Sequence, residues 1–416
     1  MQGSGETESS PRETSLRRTL SLPVITLYGI GTTVGAGIYV LVGEVALLAG
    51  PSAPMSFVLA AVLAGLSALS FAELCGRFPR SAGEAVYVYE AFGRRWLSVA
   101  IGLMVVAAGT VSAATVIRGS VGYLNEFIEI PALPIVLVLA AALGAIAAWG
   151  IAQAALAAAA LTLVELAGLV LVIAVGAPAL ERLPTMLHEV VPLNGAAAVG
   201  MTAGALVAFF AFIGFEDMVN VAEEVRDAQR VLPIAIVITL VTTTALYFLV
   251  TTITVIALPP DVLSGSTAPL ARVLERGFGG AALLISGISI VAVVNGALVQ
   301  MIMAARILYG LSRSNDLPRF LGYVSPRTRT PVYATVVVTL LIAAAAAIAP
   351  LATLATIASI VILLVFATVN AALLVIKTRA GTTPPATFTV PRAVPMLGLL
   401  ASLAIVAFEL WRRLVL

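Results

Sequence analysis

The chain is short of cysteine, histidine and charge, and each shortage closes off a class of chemistry. Its 416 residues include one cysteine, Cys75, and one histidine, His188. A lone thiol forms no internal disulfide and leaves a thiolate zinc site or an iron–sulfur cluster without ligands. A lone imidazole builds neither a multi-histidine metal centre nor a haem pair, so no metal and no cofactor are expected. Charged residues make up 11% of the chain, against about 25% in an ordinary soluble domain. The formal net charge of +2 gives no electrostatic footprint for nucleic acid. No Gly-x-x-x-x-Gly-Lys phosphate loop is present, which excludes an ATP-driven pump within the chain.

What the chain has in excess is apolar surface. Apolar residues make up 61% of it, more than one soluble core hides, so the expectation is an all-α polytopic protein with the lipid bilayer as solvent. Crossing the hydrocarbon takes about 20 apolar residues. Charge-free runs, divided at Trp149-Gly150 and Pro350, predict about 11 spans near 21–48, 53–76, 96–118, 131–149, 152–176, 199–220, 232–257, 279–312, 331–349, 351–377 and 395–413. The runs are continuous and do not alternate, which argues against a barrel. The first is too long for a cleaved signal and lacks the small-residue cleavage site. Residues 1–20 are polar and read as a disordered cytoplasmic tail.

Arginine sets the expected orientation. With the N-terminus in the cytoplasm, inside segments collect 17 of 23 basic residues and leave Arg118, Arg182, Arg272, Arg276, Arg412 and Arg413 outside. The positive-inside rule then gives a cytoplasmic N-terminus, and the expected location is the cell (inner or plasma) membrane. An odd span count puts Arg412 and Arg413 on the wrong side. Either the last span does not cross fully or a twelfth is missing.

Span 1 carries Gly29, Gly31, Gly35 and Gly37 within nine residues, and each costs about 1 kcal/mol relative to alanine in a helix. Close packing between helices is one explanation. The other is an unwound break that exposes backbone groups in mid-membrane and aims a half-helix N-terminus at an anionic ligand. Span 6 reads Phe209-Phe210-Ala211-Phe212-Ile213-Gly214-Phe215-Glu216-Asp217, an interruption at the equivalent place if spans 1–5 and 6–10 are two halves. Halves with an odd number of spans have opposite topology, so paired breaks favour an inverted-repeat transporter.

At these residues the chain resembles the amino acid–polyamine–organocation (APC) family. The resemblance is carried by Gly31 to Gly37-Ile38-Tyr39, by Ala49-Gly50-Pro51, by Ser70 to Leu74 and by Phe78 to Glu84. Further on it is carried by Phe210 to Glu216, Glu223-Glu224-Val225, Arg230, Pro233, Ala305 to Tyr309, Leu317-Pro318 and Thr330-Pro331. The opening block is similar to the branch with cationic amino acid transporters. The resemblance implies a LeuT-type 5+5 inverted repeat with helices 1 and 6 discontinuous. The transporter core would run over 21–377, in repeats of about 21–176 and 199–377, with a loop and helix 11 at 378–416. It also implies an amino-acid substrate, its carboxylate on N–H groups of Ala36 and Gly37 near Gly35. The ammonium would meet carbonyls around Thr33, Phe210 and Ile213, with Ala211 in the same stretch and Phe210 as a lid. Unwound backbone supplies donors and acceptors for a zwitterion without buried charge.

Glu165 in span 5 departs from the family pattern, since several proton-coupled relatives carry lysine there. A carboxylate this deep faces the bundle interior. It reads either as the coupling group that binds and releases H+ or as a neutral structural carboxyl bonded to helix 1 or helix 8. Glu216 and Asp217 read as gate residues or as solvated acids at a helix end. Asn295 and Asn370 read as interhelical glue, His188 as a surface residue, and Ala107, Gly109, Ser112, Phe212 and Val299 as pocket walls. The expected function is a secondary amino-acid permease working by alternating access, with proton-coupled symport ahead of exchange. A non-transporting sensor would want a large cytoplasmic domain, and the inside loops are short. An intramembrane enzyme would need clustered acids or histidines beyond the lone Glu165.

Overall fold

The computed structural model describes residues 20–35, 37–80, 83–149, 154–191, 194–259, 262–263, 266, 268–277, 282–379 and 387–415. The polar tail before residue 20, Ala36 and Gly150 lie outside these. Among the described residues, nine stretches are long and apolar enough to cross a membrane. One of them, Leu22–Arg77, holds two expected spans in tandem, and the ninth expected span is the shorter Val332–Ile348. The elements lie close to the sequence reading because each apolar run ends where charge or proline ends it.

Span 1 is two half-helices, α1 (Leu22–Val34) and α2 (Gly37–Ala49). Span 2 is α3 (Ala53–Arg77), followed by a short α4 (Gly83–Phe92) that the sequence reading did not anticipate. Spans 3 to 5 are α5 (Arg95–Asn125), α6 (Ala132–Trp149) and α7 (Ala154–Gly176), and α8 (Leu183–Val190) follows them. Span 6 is α9 (Gly195–Phe209), a 3-10 turn at Phe210–Phe212 and a second 3-10 stretch at Phe215–Glu224. Then come α10 (Ala228–Ala257), α11 (Pro269–Gly277), α12 (Ala282–Arg313), α13 (Val332–Ile348), α14 (Leu351–Thr378) and α15 (Ala393–Val415).

Packing sorts the helices into two groups. Spans 1, 2, 6 and 7 pack on one another through α1 on α10, α2 on α9, and α3 on both α9 and α10. Outside this bundle, α5 packs on α12 and α13, and α6 on α13. An aromatic cluster joins the bundle to α4 and α14. The Phe71 ring meets Tyr87, Phe215 and Phe366 at centroid distances of 6.2, 5.8 and 5.2 Å, each pair contributing about 0.5–1.5 kcal/mol beyond its buried area.

Both broken spans turn on glycine. Gly35 sits at φ 33° after α1, and Gly214 at φ 130° between the two 3-10 pieces, conformations that a Cβ disfavours. Space decides as well as φ. A Cβ on Gly214 would collide with the Thr32 carbonyl oxygen, and one on Gly37 would come within 2.9 Å of Ala211 Cα. The two breaks are therefore pressed backbone to backbone.

The face bearing Leu20 is tied by buried charge. Glu73 is fully buried; its Oε1 takes Arg77 at 2.7 Å and its Oε2 takes Lys377 Nζ at 2.6 Å. The Val390 N–H donates to the same Oε2 at 2.8 Å. Span 2, the end of α14 and the segment before α15 thus share one carboxylate. Cys75, two residues along α3 from Glu73, is fully buried, and its Sγ donates to the Ala72 carbonyl at 3.4 Å.

Candidate functional site

Between the breaks lies a cleft with about 310 Å³ of empty space. Span 1 lines it with Thr32, Thr33, Gly35 and Gly37, span 6 with Phe210 and Ile213, α5 with Ser112 and Val116, and α12 with Gly296 and Gln300. The geometry follows from interrupted helices. The first turn of α2 leaves N–H groups without intrahelical partners, and the last turns of α1 and α9 leave carbonyls. Positive and negative half-helix ends thus meet within one cleft.

Most of the expected binding residues come together here. Thr33, Gly35, Gly37, Phe210 and Ile213 line the cleft, while Ala36 lies outside the described residues. Ala211 stands behind the wall, its Cα against Gly37. Of the expected walls, Ser112 lines the cleft. Phe212 instead packs its ring on Tyr247 at 5.0 Å, and Gln300, rather than Val299, reaches the cleft from α12.

Hydrogen bonds hold the breaks in register. The Thr32 hydroxyl donates to the Gly214 carbonyl at 2.9 Å, and Thr33 Oγ1 to the Gly29 carbonyl at 2.7 Å. The Tyr247 hydroxyl on α10 lies 2.9 Å from the Thr33 carbonyl and 2.8 Å from that of Ala211. One phenolic proton is shared between the two broken helices. The sequence reading passed over Tyr247, although a tyrosine in mid-span needs a hydroxyl partner.

Glu165 stands on α7, fully buried, and does not line the cleft. Its Oε1 accepts from Asn295 Nδ2 at 2.9 Å, its backbone carbonyl accepts from the Tyr39 hydroxyl, and its Oε2 has no hydrogen-bond partner. Asn370 accepts from Ser70 Oγ at 2.6 Å and donates to Ser67 Oγ at 3.0 Å, joining α14 to α3. His188 is exposed.

Glu216 and Asp217 are buried, which corrects the picture of solvated acids at a helix end. They are inside because span 6 leaves its break as a 3-10 stretch that folds them back under the cleft. Glu216 Oε2 accepts from the Gly214 N–H at 2.9 Å, and Asp217 Oδ2 from Gln300 Nε2 at 3.0 Å. Glu84 on α4 adds a third buried carboxyl within electrostatic reach of both. Among the described residues, no group of histidines, cysteines and acids is arranged to hold a metal ion.

Comparison with known proteins supplies the context. The chain is 31% identical to a vacuolar cationic amino acid transporter 4 of Arabidopsis thaliana, over 87% of this chain and 64% of that one. It is 29% identical to cationic amino acid transporter 4 of Homo sapiens, over 91% and 62%, and so spans less than two thirds of either. An uncharacterized transporter of Mycobacterium tuberculosis is 32% identical over 95% of this chain and 87% of its own length. Among solved structures, MhsT in complex with L-phenylalanine superposes with a TM-score of 0.66 at 17% identity, over 95% of this chain and 99% of that chain. That likeness shows the LeuT-type fold of a multi-pass membrane protein. The family model described as amino acid permease matches residues 20–411. Because the match runs unbroken across both interrupted spans and into the last helix, the chain belongs to the amino acid permease family.

Proposed function

We propose that the protein is a secondary active permease for amino acids, working by alternating access. The observation that carries this reading is the cleft between two broken helices, walled by unwound backbone from both. The substrate carboxylate binds the N–H groups of Ala36 and Gly37 beside Gly35, and the ammonium binds carbonyls at Thr33, Phe210 and Ile213. Ala211 backs the cleft and Phe210 covers it. Spans 1, 2, 6 and 7 move as a body against spans 3, 4, 8 and 9. The core spans 21–377, in repeats of about 21–176 and 199–377, and 378–416 adds a loop and a last helix. The N-terminus faces the cytoplasm across a cell membrane.

Glu165 is the coupling group in this reading, and transport is symport with H+. Its buried Oε2 without a partner supports that role, since an ionised oxygen left unpaired in the interior is costly and a proton neutralises it. The Asn295 bond to Oε1 favours a second reading, in which Glu165 is structural and the protein exchanges one amino acid for another. The names of the plant and human relatives point to cationic amino acids as one substrate class to try.

The test is uptake of labelled amino acids into proteoliposomes with and without an inward proton gradient. Accumulation that requires the gradient, lost in Glu165→Gln while substrate binding persists, is expected. Uptake that ignores pH and needs amino acid preloaded inside establishes exchange. Absence of any uptake sinks the transport reading.

A further inference from the structure

Resting on the transport reading, we infer that the substrate is a small neutral amino acid of the alanine, serine and threonine class. Gln300 sets this limit by standing between the cleft and Asp217. Beyond the unwound backbone, the walls left for a substrate side chain are Ser112, Val116, Phe210, Gly296 and Gln300. Among the described residues no carboxylate lines the cleft. A guanidinium or ammonium side chain entering it loses its water and meets no counter-charge, which costs several kcal/mol.

Three buried acids of the core do not line the cleft. Glu165 Oε1 is held by Asn295, and Glu216 Oε2 by the Gly214 N–H. Asp217 lies behind Gln300, whose Nε2 donates to it at 3.0 Å while the same side chain lines the cleft. Gln300 Oε1 lies close over Gly109, where a Cβ would come within 3.0 Å of it. Held through its Nε2, Gln300 presents a neutral amide between the cleft and the Asp217 carboxyl. Size points the same way. The roughly 310 Å³ between the breaks includes space open to solvent, so the part enclosed by these walls is smaller still. Much of it goes to the zwitterionic head, and the rest suits a methyl or hydroxymethyl group beside Ser112 Oγ and the Gln300 amide.

The experiment uses the full chain in proteoliposomes with labelled L-alanine, L-serine, L-threonine, L-phenylalanine, L-lysine and L-arginine. Uptake of the first three is expected to exceed that of the last three by about tenfold or more. Lysine or arginine uptake equal to or above alanine overturns the inference and leaves the transport reading standing. If nothing is taken up, transport fails, and thermal stabilisation of the detergent-solubilised protein decides the rest. Stabilisation by alanine but not arginine supports the neutral class. Stabilisation by arginine, or by none of the six, overturns it. Gln300→Ala uncovers Asp217, and its lysine-to-alanine uptake ratio is expected to rise about tenfold, whereas an unchanged ratio overturns the screening role. Should that variant not fold, Gln300→Asn, which shortens the amide by one methylene, is read in the same way.

Discussion

Glu84 is a carboxyl that folding takes out of water. It is 3% exposed, its Oε1 has no hydrogen-bond partner, and Glu216 adds like charge nearby. Burial, with Glu216 as a lesser cause, pushes its pKa up to about 8. The unfolded chain titrates near 4.5, so between these values the folded protein binds the extra proton. Its stabilising effect is complete below the unfolded value and is lost as pH rises toward 8, by at most ~1.4 kcal/mol per pH unit. Thermal unfolding of the purified protein from pH 5 to 8.5 is expected to show a falling midpoint, and Glu84→Gln a flatter one. An equal slope in the variant would place the titration elsewhere. Tyr247 makes a second case at this scale. Phenylalanine there leaves the Thr33 and Ala211 carbonyls without their shared donor, at a cost of about 1–3 kcal/mol. Tyr247→Phe should lower the unfolding midpoint and weaken substrate binding together; loss of neither would show that water replaces the hydroxyl.

At the scale of elements, the breaks were legible and the phases of the helices were not. Glycines at 29, 31, 35 and 37 and the Phe209–Asp217 stretch marked both interruptions, because glycine in mid-span is costly wherever it stays helical. Val299 and Gln300 show the limit. A helix that is apolar all round has no readable face, and one residue of phase turns a side chain by about 100°, enough to exchange cleft wall for packing. The short α4 was hidden for a related reason, since its apolar and polar residues sit among loop signals, and packing against α5 and α14 fixes it as a helix. For the breaks the expectation is direct. Gly214→Ala combines a φ of 130° with a collision against the Thr32 carbonyl, and it should destabilise by about 3 kcal/mol or more. Yield and unfolding midpoint measure this, and a wild-type midpoint would mean that span 6 rebuilds its turn.

For the molecule as a whole, the paired groups of spans follow from the order of apolar runs, whereas the tie that joins them at the Leu20 face does not. Glu73 lies about 300 residues before Lys377 and Val390 in the chain, and no local pattern pairs it with them. Lys377→Met leaves Glu73 with Arg77 and the Val390 N–H but without its second cation, which should cost roughly 3 kcal/mol. It should also raise hydrogen exchange in 387–392 ahead of the bundle, and unchanged exchange there would show that the segment is held by other contacts. The buried position of Cys75, near the end of span 2, bears on how such motions are followed. With its only thiol enclosed by packed helix, the wild-type chain should resist polar maleimides. Any cysteine placed on an exposed site, or any pair placed across the two groups of spans, then carries a probe without first removing a native one. Distances between spin or fluorescent labels on the two groups become readable in the unaltered background, and labelling of the wild-type protein itself would report that the end of span 2 opens.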